Sequence, residues 1–162
     1  MFYDREKAVE YAHNWAFSRN PNYFSFTGIG GDCTNFISQC IHAGGAPMNY
    51  APTYGWYYIS PTNRAPAWTG VQFLYNFLTR TSGRGPFGKG VPIDKIEIGD
   101  IIQLSFDGVT YEHSLLVVER GIVPSPDNIL IATHTDDSDY RPLSTYSVKQ
   151  RRYIHIEGTR FS

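Results

Sequence analysis

The sequence predicts an α+β domain in which N-terminal helices pack on a small antiparallel β-sheet. Apolar residues recur at helical spacing in the first half of the chain. In the second half, short apolar segments are separated by turn signals, of which Asp107-Gly108 is the strongest. Helices followed by a run of strands are typical of α+β folds. We find no internal repeat and no linker, so residues 1–162 are expected to form a single domain.

Two helices are predicted in the first quarter of the chain. Asp4 is a favourable N-cap for the first helix, which carries an apolar stripe and ends at Asn20-Pro21. The second helix begins at Cys33 and ends at Gly44-Gly45. Its apolar face is formed by Phe36, Ile37, Cys40 and Ile41. This face is expected to pack on the rest of the domain and to hold Cys33 in place.

The segment 44–69 has no clean periodicity and is rich in Pro, Gly and aromatic residues. Long irregular segments inside a compact domain are usually functional or disordered, and the aromatic content argues against disorder. We interpret the segment as a lid or wall of a substrate cleft, with Trp56 and Trp68 as candidate substrate contacts. Thr69 is expected to cap the next helix, which ends before Ser82-Gly83.

Four strands are predicted in the second half, over residues 101–106, 111–119, 129–133 and 151–157. The first two form a hairpin around Asp107-Gly108, and the third follows a longer turn that contains two prolines. His113 lies at the head of the second strand, and His134 directly follows the third. Neighbouring strands would therefore place these two histidines side by side.

The overall charge argues against nucleic acid or an anionic membrane as a partner. The chain has 14 basic and 15 acidic residues, a formal net charge of -1, and no apolar stretch of membrane-spanning length. An aromatic content of 15% suits contacts with sugars or peptides, and we expect a monomer. Residues 1–20 lack the apolar core of a signal peptide, so an extracellular or cell-wall location would require an export signal outside this sequence. A cytoplasmic location is the alternative.

Cys33 is the candidate nucleophile. It follows Gly30-Gly31-Asp32 at the predicted N-terminus of a helix, where unpaired backbone N–H groups and the helix dipole favour a thiolate. The alternative is a small buried structural residue beside a glycine-rich turn. Cys40 lies two turns further along the same helix, about 10 Å away, which is too far for a disulfide. Both cysteines are therefore expected to be free thiols.

Thiol catalysis requires a base near the sulfur and a third group that orients the base. His113 and His134 are candidates for these two roles, and Asp136 is a nearby acid. A lone histidine at a strand end is usually structural, so the argument depends on the combination. His13 and His155 have no predicted reactive neighbour and are interpreted as structural.

These residues together resemble a known superfamily. Gly-Asp-Cys-Thr-Asn-Phe, then Ile98-Gly99-Asp100, then His113-Ser114-Leu115-Leu116-Val117-Val118 are similar to the motifs of papain-like, NlpC-type cell-wall hydrolases. The block Asp32 to Gln39, together with Ala43-Gly44-Gly45 and Gly55-Trp56, resembles more closely the bacterial "putative amidase domain" family of that superfamily. The resemblance covers nearly the whole chain. Thr34-Asn35 departs from the small Ser-Gly pair of the superfamily motif.

The resemblance implies a papain-like fold and a cysteine amidase or peptidase that acts on bacterial cell-wall peptides through a thioester, without a cofactor. It implies Cys33 as nucleophile, His113 as base and His134 as the third member, with Asp136 as the alternative. The Cys33 N–H is the natural first oxyanion donor. Asp32 and Tyr23 are further candidates for oxyanion or substrate contacts.

Two other functions remain open at this point. A non-catalytic wall-binding or glycan-binding module could use Trp56 and Trp68 as stacking platforms. A metal site could be built from Cys33, His113 and His134, but the sequence has no paired Cys-x-x-Cys or His-x-x-x-His spacing. No metal and no cofactor are therefore expected.

Overall fold

A computed structural model describes residues 2–162 and confirms the α+β class, with helices mainly in the first half of the chain and strands mainly in the second. Asp4 caps the first helix as predicted, because its side chain accepts a hydrogen bond from the Lys7 N–H. Cys33 is the first residue of the second helix, also as predicted. The four helices are α1 (Arg5–Trp15), α2 (Cys33–Ala43), α3 (Pro66–Thr69) and α4 (Val71–Leu78).

Six strands form one antiparallel sheet, in the order β3-β8-β4-β5-β6-β7. These strands are β3 (Gly85–Val91), β4 (Ile101–Ser105), β5 (His113–Glu119), β6 (Leu130–Thr133), β7 (Ser138–Pro142) and β8 (Gln150–Arg160). A separate two-stranded ribbon pairs β1 (Tyr58–Ser60) with β2 (Asn63–Arg64). The strand β5 lies near the centre of the sheet, and α1 and α2 pack against it.

The sheet is buried on both faces, which explains the nearly continuous apolar run of β5. Leu116 and Val118 belong to the core under the helices, whereas Leu115 and Val117 belong to a second core on the opposite face. Side chains alternate between the faces of a strand, so burial on both sides removes the usual polar alternation. The second core also includes Tyr146, which follows a short 3₁₀ turn.

The structure departs from several predictions about local structure. The first helix ends at Trp15 rather than at Asn20-Pro21. Thr69 does not cap α4; it ends α3, and Gly70 occupies the N-cap position. The second strand of the 101–119 hairpin begins at His113 rather than at residue 111, because Asp107 organises a wider turn by accepting N–H bonds from Val109 and Thr110. The strands β3 and β7 were not predicted, since β3 is rich in glycine and β7 is mostly polar.

Candidate active site

The N-terminus of α2 places Cys33 against the start of β5. Gly30 and Gly31 adopt φ values of 79° and 96°, which only glycine tolerates readily, and so turn the chain into the helix. The hydroxyls of Thr34 and Ser114 then lie 2.9 Å apart. Cys33 and His113 directly precede these two residues, so the pairing brings together the two chain segments that carry the candidate catalytic residues. Each is nearly buried, with 7% and 6% of its surface exposed.

The sulfur of Cys33 is a neutral thiol at neutral pH. Burial raises its pKa, and this effect outweighs the hydrogen bonds that the sulfur receives from the Ser114 N–H and from Thr34. The expectation that the helix N-terminus favours a resting thiolate is therefore wrong, because desolvation of the charge is the larger effect.

His113 is a neutral imidazole at the same pH. Burial lowers its pKa to about 4, with a smaller contribution from the positive charge of Arg141. Its Nε2 lies 3.4 Å from Thr133 Oγ1. The Thr133 hydroxyl donates its single proton to the carbonyl oxygen of Ser114 or of His134, each 2.9 Å away. Thr133 Oγ1 therefore accepts a hydrogen bond from His113 Nε2–H. This arrangement leaves Nδ1 of His113 with a free lone pair. Across residues 2–162, no hydrogen bond joins the Cys33 sulfur to the His113 ring.

Tyr146 is a third residue at this place, and sequence reasoning missed it. Its ring lies 5.8 Å from the ring of His113, and burial raises the pKa of its hydroxyl. Ser138 is close to the hydroxyl; it donates its own proton to the Asp136 carbonyl, so only its oxygen is left to accept from Tyr146. The Tyr146 hydroxyl is buried and makes no hydrogen bond of good geometry. A buried donor without a partner is costly and usually has a reason.

His134 does not orient His113, which corrects the prediction of a third triad member. Its Nδ1 lies 2.6 Å from Asp32 Oδ2, and its Nε2 lies 2.8 Å from the Trp15 carbonyl oxygen. A carboxylate and a carbonyl oxygen only accept hydrogen bonds, so both ring nitrogens donate and neither is left for His113. The ring also stacks on Phe36 at 4.0 Å. His134 therefore ties β6 to the two helices.

Asp32 is the acidic partner of His134 in this buried hydrogen bond rather than a substrate contact. It is 1% exposed and does not cap α2 with its side chain. Burial alone would raise its pKa, but hydrogen bonds from His134, Asn35 and the Phe26 N–H outweigh burial and hold the pKa below its ordinary value. Asp32 thus fixes the loop before Cys33 to α2 and to β6.

A cavity of about 420 Å³ opens beside His113 and is partly lined by Tyr146, Arg141 and Asp136. Asp136 and the neighbouring Thr135 both adopt left-handed backbone conformations, with φ values of 56° and 67°. Such conformations are uncommon for residues other than glycine, and unusual for a β-branched residue. Asp136 acts on His113 only through its charge, as the smallest influence on the pKa of that ring. It makes no hydrogen bond to the ring in the described part of the chain, so the structure does not favour it as the alternative third member.

Residues 2–157 match the family described as "Putative amidase domain". The chain belongs to this amidase domain family. It is also similar to "Uncharacterized protein YhbB" of Bacillus subtilis (strain 168), with 33% identity over 143 residues that cover 86% of this chain and 43% of the relative. The chain thus spans less than half the length of this curated relative. No solved structure matches it.

The two tryptophans proposed as substrate contacts are structural in this amidase domain. Trp56 and Trp68 are fully buried, and their indole N–H groups donate to Ser38 Oγ and Asn35 Oδ1 on α2. Tyr23 stacks on Trp68 at 6.0 Å. The interpretation of segment 44–69 as a substrate wall is therefore wrong at both tryptophans, and the wall-binding alternative loses its stacking platforms. These rings instead support the helix that carries Cys33.

The other histidines of the amidase domain have partners elsewhere, as predicted for two of them. His13 pairs with Asp139 at 2.7 Å, His155 with Asp100 at 2.8 Å, and His42 bonds the Ala46 carbonyl. Among residues 2–162, no group of three or more His, Cys, Asp or Glu side chains is arranged to hold a metal ion. None of the helices in the same range combines the length and apolarity needed to cross a membrane.

Proposed function

We propose that this amidase domain is a cysteine-dependent amide hydrolase with a papain-like arrangement of Cys33 and His113. The observation that carries the proposal is that three groups lie around the start of β5: a nearly buried thiol, a neutral imidazole and a buried phenol hydroxyl without a well-formed hydrogen bond. The family membership supports amide hydrolysis. The neutral states of Cys33 and His113 determine how the reaction begins.

His113 acts first as a general base. Its Nδ1 removes the proton from the Cys33 thiol as the sulfur attacks the amide carbonyl carbon. The carbonyl oxygen becomes an oxyanion, which the backbone N–H of Cys33 and the hydroxyl of Tyr146 stabilise. The imidazolium of His113 then gives its proton to the leaving amine, and a thioester forms. Water attacks the thioester with His113 again as base, which releases the carboxylic acid and the free thiol.

We propose peptides of the bacterial cell wall as the substrate class. The support is the resemblance of the Asp-Cys helix start and the His-strand to those of NlpC-type cell-wall hydrolases. The similarity to a Bacillus protein agrees with a bacterial role. Action on the wall would place the domain outside the cell, within a longer exported protein, and we propose that it works there as a monomer.

Digestion of purified peptidoglycan tests this function. We expect new free amines, with cleavage sites identified by mass spectrometry of the released fragments. Acid quenching of the reaction should trap the acyl group on the peptide that contains Cys33. Release of fragments with no acylated Cys33 and no sensitivity to alkylation of Cys33 would contradict the cysteine mechanism. Cleavage of other peptides but not of peptidoglycan would contradict only the substrate class.

The variant Tyr146→Phe removes only the hydroxyl that we assign to the oxyanion. We expect kcat to fall about 100-fold, because one preorganised donor is lost. The free energy of unfolding should stay within about 1 kcal/mol of the parent, because this buried hydroxyl has no well-formed hydrogen bond to lose. The matched control is Tyr140→Phe, which removes an exposed hydroxyl and should change neither quantity. An unchanged kcat in Tyr146→Phe would exclude the hydroxyl from catalysis.

A further inference from the structure

Arg141 on β7 is held in place at the cavity beside His113. Its Nε donates to Thr145 Oγ1 at 2.6 Å, and its guanidinium carbon lies 3.7 Å from the ring centroid of Tyr146. Stacking on an aromatic ring and a hydrogen bond through Nε fix the plane of a guanidinium. Nη2 also donates to the Thr145 carbonyl oxygen at 3.5 Å, so Nη1 is the nitrogen left to bind a ligand. The side chain is half-buried and lines the cavity.

Arg141 has no acidic partner within 4.0 Å in the described structure, unlike Arg5, Arg19 and Arg120. What distinguishes Arg141 is its place in the cavity beside His113. The other half-buried arginines without an acidic partner do not line that cavity; they are Arg64, Arg80, Arg151, Arg152 and Arg160. Arg141 is oriented by neutral groups alone. A fixed guanidinium that faces a cavity without a counter-charge is suited to bind a carboxylate of a ligand.

The cavity brings this guanidinium close to His113, since both side chains line it. Tyr146 lies between them: its ring centroid is 5.8 Å from that of His113 and 3.7 Å from the guanidinium carbon of Arg141. A ligand that occupies the cavity would therefore meet both Arg141 and His113.

We propose that Arg141 forms a carboxylate-binding subsite, and that the domain prefers amides with a free carboxylate about one residue from the cleaved bond. This inference rests on the proposed function and specifies its substrate class. The cavity also contains Asp136, whose carboxylate makes no hydrogen bond or ion pair among residues 2–162. Arg141 and Asp136 do not pair with each other, so a ligand can place a carboxylate on Arg141 and an N–H group toward Asp136.

Matched alkylating reagents test the subsite without a known substrate. Two pairs of reagents are used, each consisting of a carboxylate and the matching amide: iodoacetate with iodoacetamide, and N-(iodoacetyl)glycine with its carboxamide. The carboxylate lies at a different distance from the reactive carbon in each pair. In each reaction the sulfur forms a bond to carbon, and iodide leaves. The protein carries Cys40→Ala, so that Cys33 is its only thiol. Rate constants come from intact-mass spectra, and each carboxylate-to-amide ratio is divided by the same ratio for N-acetylcysteine amide. The fraction of thiolate cancels in these ratios.

We expect a normalised ratio above about fivefold for at least one reagent pair, and a fall to near one in Arg141→Gln. Arg141→Lys keeps the positive charge but loses the paired N–H donors with which a guanidinium binds both oxygens of a carboxylate. Its ratio should therefore lie between those of the parent and of Arg141→Gln. Asp136→Asn removes a negative charge from the cavity and should raise the ratio. Asn, like Asp, tolerates the left-handed backbone conformation at this position. Lys95→Gln is the control for charge: it lowers the net charge by one, as Arg141→Gln does, but on an exposed residue outside the cavity. It should leave the ratio unchanged.

A ratio that Arg141→Gln does not lower overturns the subsite, and so does a failure of every reagent to modify Cys33. Circular dichroism and the thermal midpoint check that each variant is folded. The outcome is separate from that of the proposed function. A protein that shows the carboxylate preference but cleaves no amide would retain the subsite and lose the hydrolase, and the reverse result would lose only the subsite.

Discussion

Cys33→Ala is expected to abolish amide cleavage while the protein remains folded. Removal of the nucleophile should lower kcat by about 10⁴-fold or more, because no other group can form the thioester. The free energy of unfolding should fall by about 1 kcal/mol at most, since the substitution removes a single sulfur atom. The measurements are the release of amines from peptidoglycan and denaturant unfolding followed by circular dichroism.

Cys40→Ala is the matched control, because it makes the same chemical change on the same helix. Cys40 is fully buried in the core under α2, whereas Cys33 faces the start of β5. We expect Cys40→Ala to retain its activity and to lose about 1–2 kcal/mol of unfolding free energy through a small cavity. Equal activity in the two variants would show that the thiol of Cys33 takes no part in the reaction.

The position of Cys33 could be predicted because it depends on local sequence. Two glycines, an acidic residue and a helical apolar face define where α2 begins, and the structure places that beginning at Cys33. The position of His113 could also be predicted, because the apolar run that follows it defines the strand β5. In both places the local preference and the packing of the domain favour the same conformation.

The partners of His134 could not be predicted, because they come from distant parts of the chain. Its two hydrogen bonds go to Asp32 and to the end of α1, 102 and 119 residues away in sequence. The strand order correctly placed His134 next to β5, but the direction of the ring depends on which buried acceptors surround it. Spacing alone cannot reveal that choice.

Tyr146 was missed for a different reason. No local motif precedes it, and it reaches the site because the 3₁₀ turn over Leu143–Thr145 returns the chain beside His113. Twelve tyrosines in the chain give no reason to select this one. The signal appears only in the structure, as a buried hydroxyl without a well-formed hydrogen bond. The same applies to Arg141, whose lack of an acidic partner is a property of the packed molecule.

His113→Gln is expected to lower kcat about 10³-fold, because general-base and general-acid catalysis are both lost. For the parent, the acid limb of kcat/KM should fall near pH 4 rather than near pH 6.5, since burial lowers the pKa of His113 to about 4. Toward high pH, activity should persist beyond the ordinary thiol pKa, because burial raises the pKa of Cys33. An acid limb of kcat/KM with its midpoint near pH 6.5 would contradict the assignment of a neutral thiol and a neutral imidazole.

The same pKa shift predicts how the stability of the parent depends on pH. The unfolded chain binds a proton at His113 near pH 6.5, whereas the folded chain binds it only near pH 4. Between these values the unfolded state holds more protons, so the free energy of unfolding decreases as pH falls, by about 3 kcal/mol in total. His113→Gln should remove this part of the acid destabilisation. Denaturant unfolding at pH 7, 6, 5 and 4 measures it in both proteins.

His134→Gln separates a structural histidine from a catalytic one. The substitution removes the hydrogen bond of His134 to the buried carboxylate of Asp32, which keeps Arg19 at 3.6 Å, so we expect the free energy of unfolding to fall by about 1–3 kcal/mol. The folded fraction should keep a kcat within a few-fold of the parent, because both nitrogens of His134 bind Asp32 and Trp15 rather than His113. Assays at a temperature where circular dichroism shows native structure distinguish these effects. A kcat loss as large as that of His113→Gln, in protein that remains folded, would restore His134 as the orienting residue and would exclude the role that its hydrogen bonds indicate.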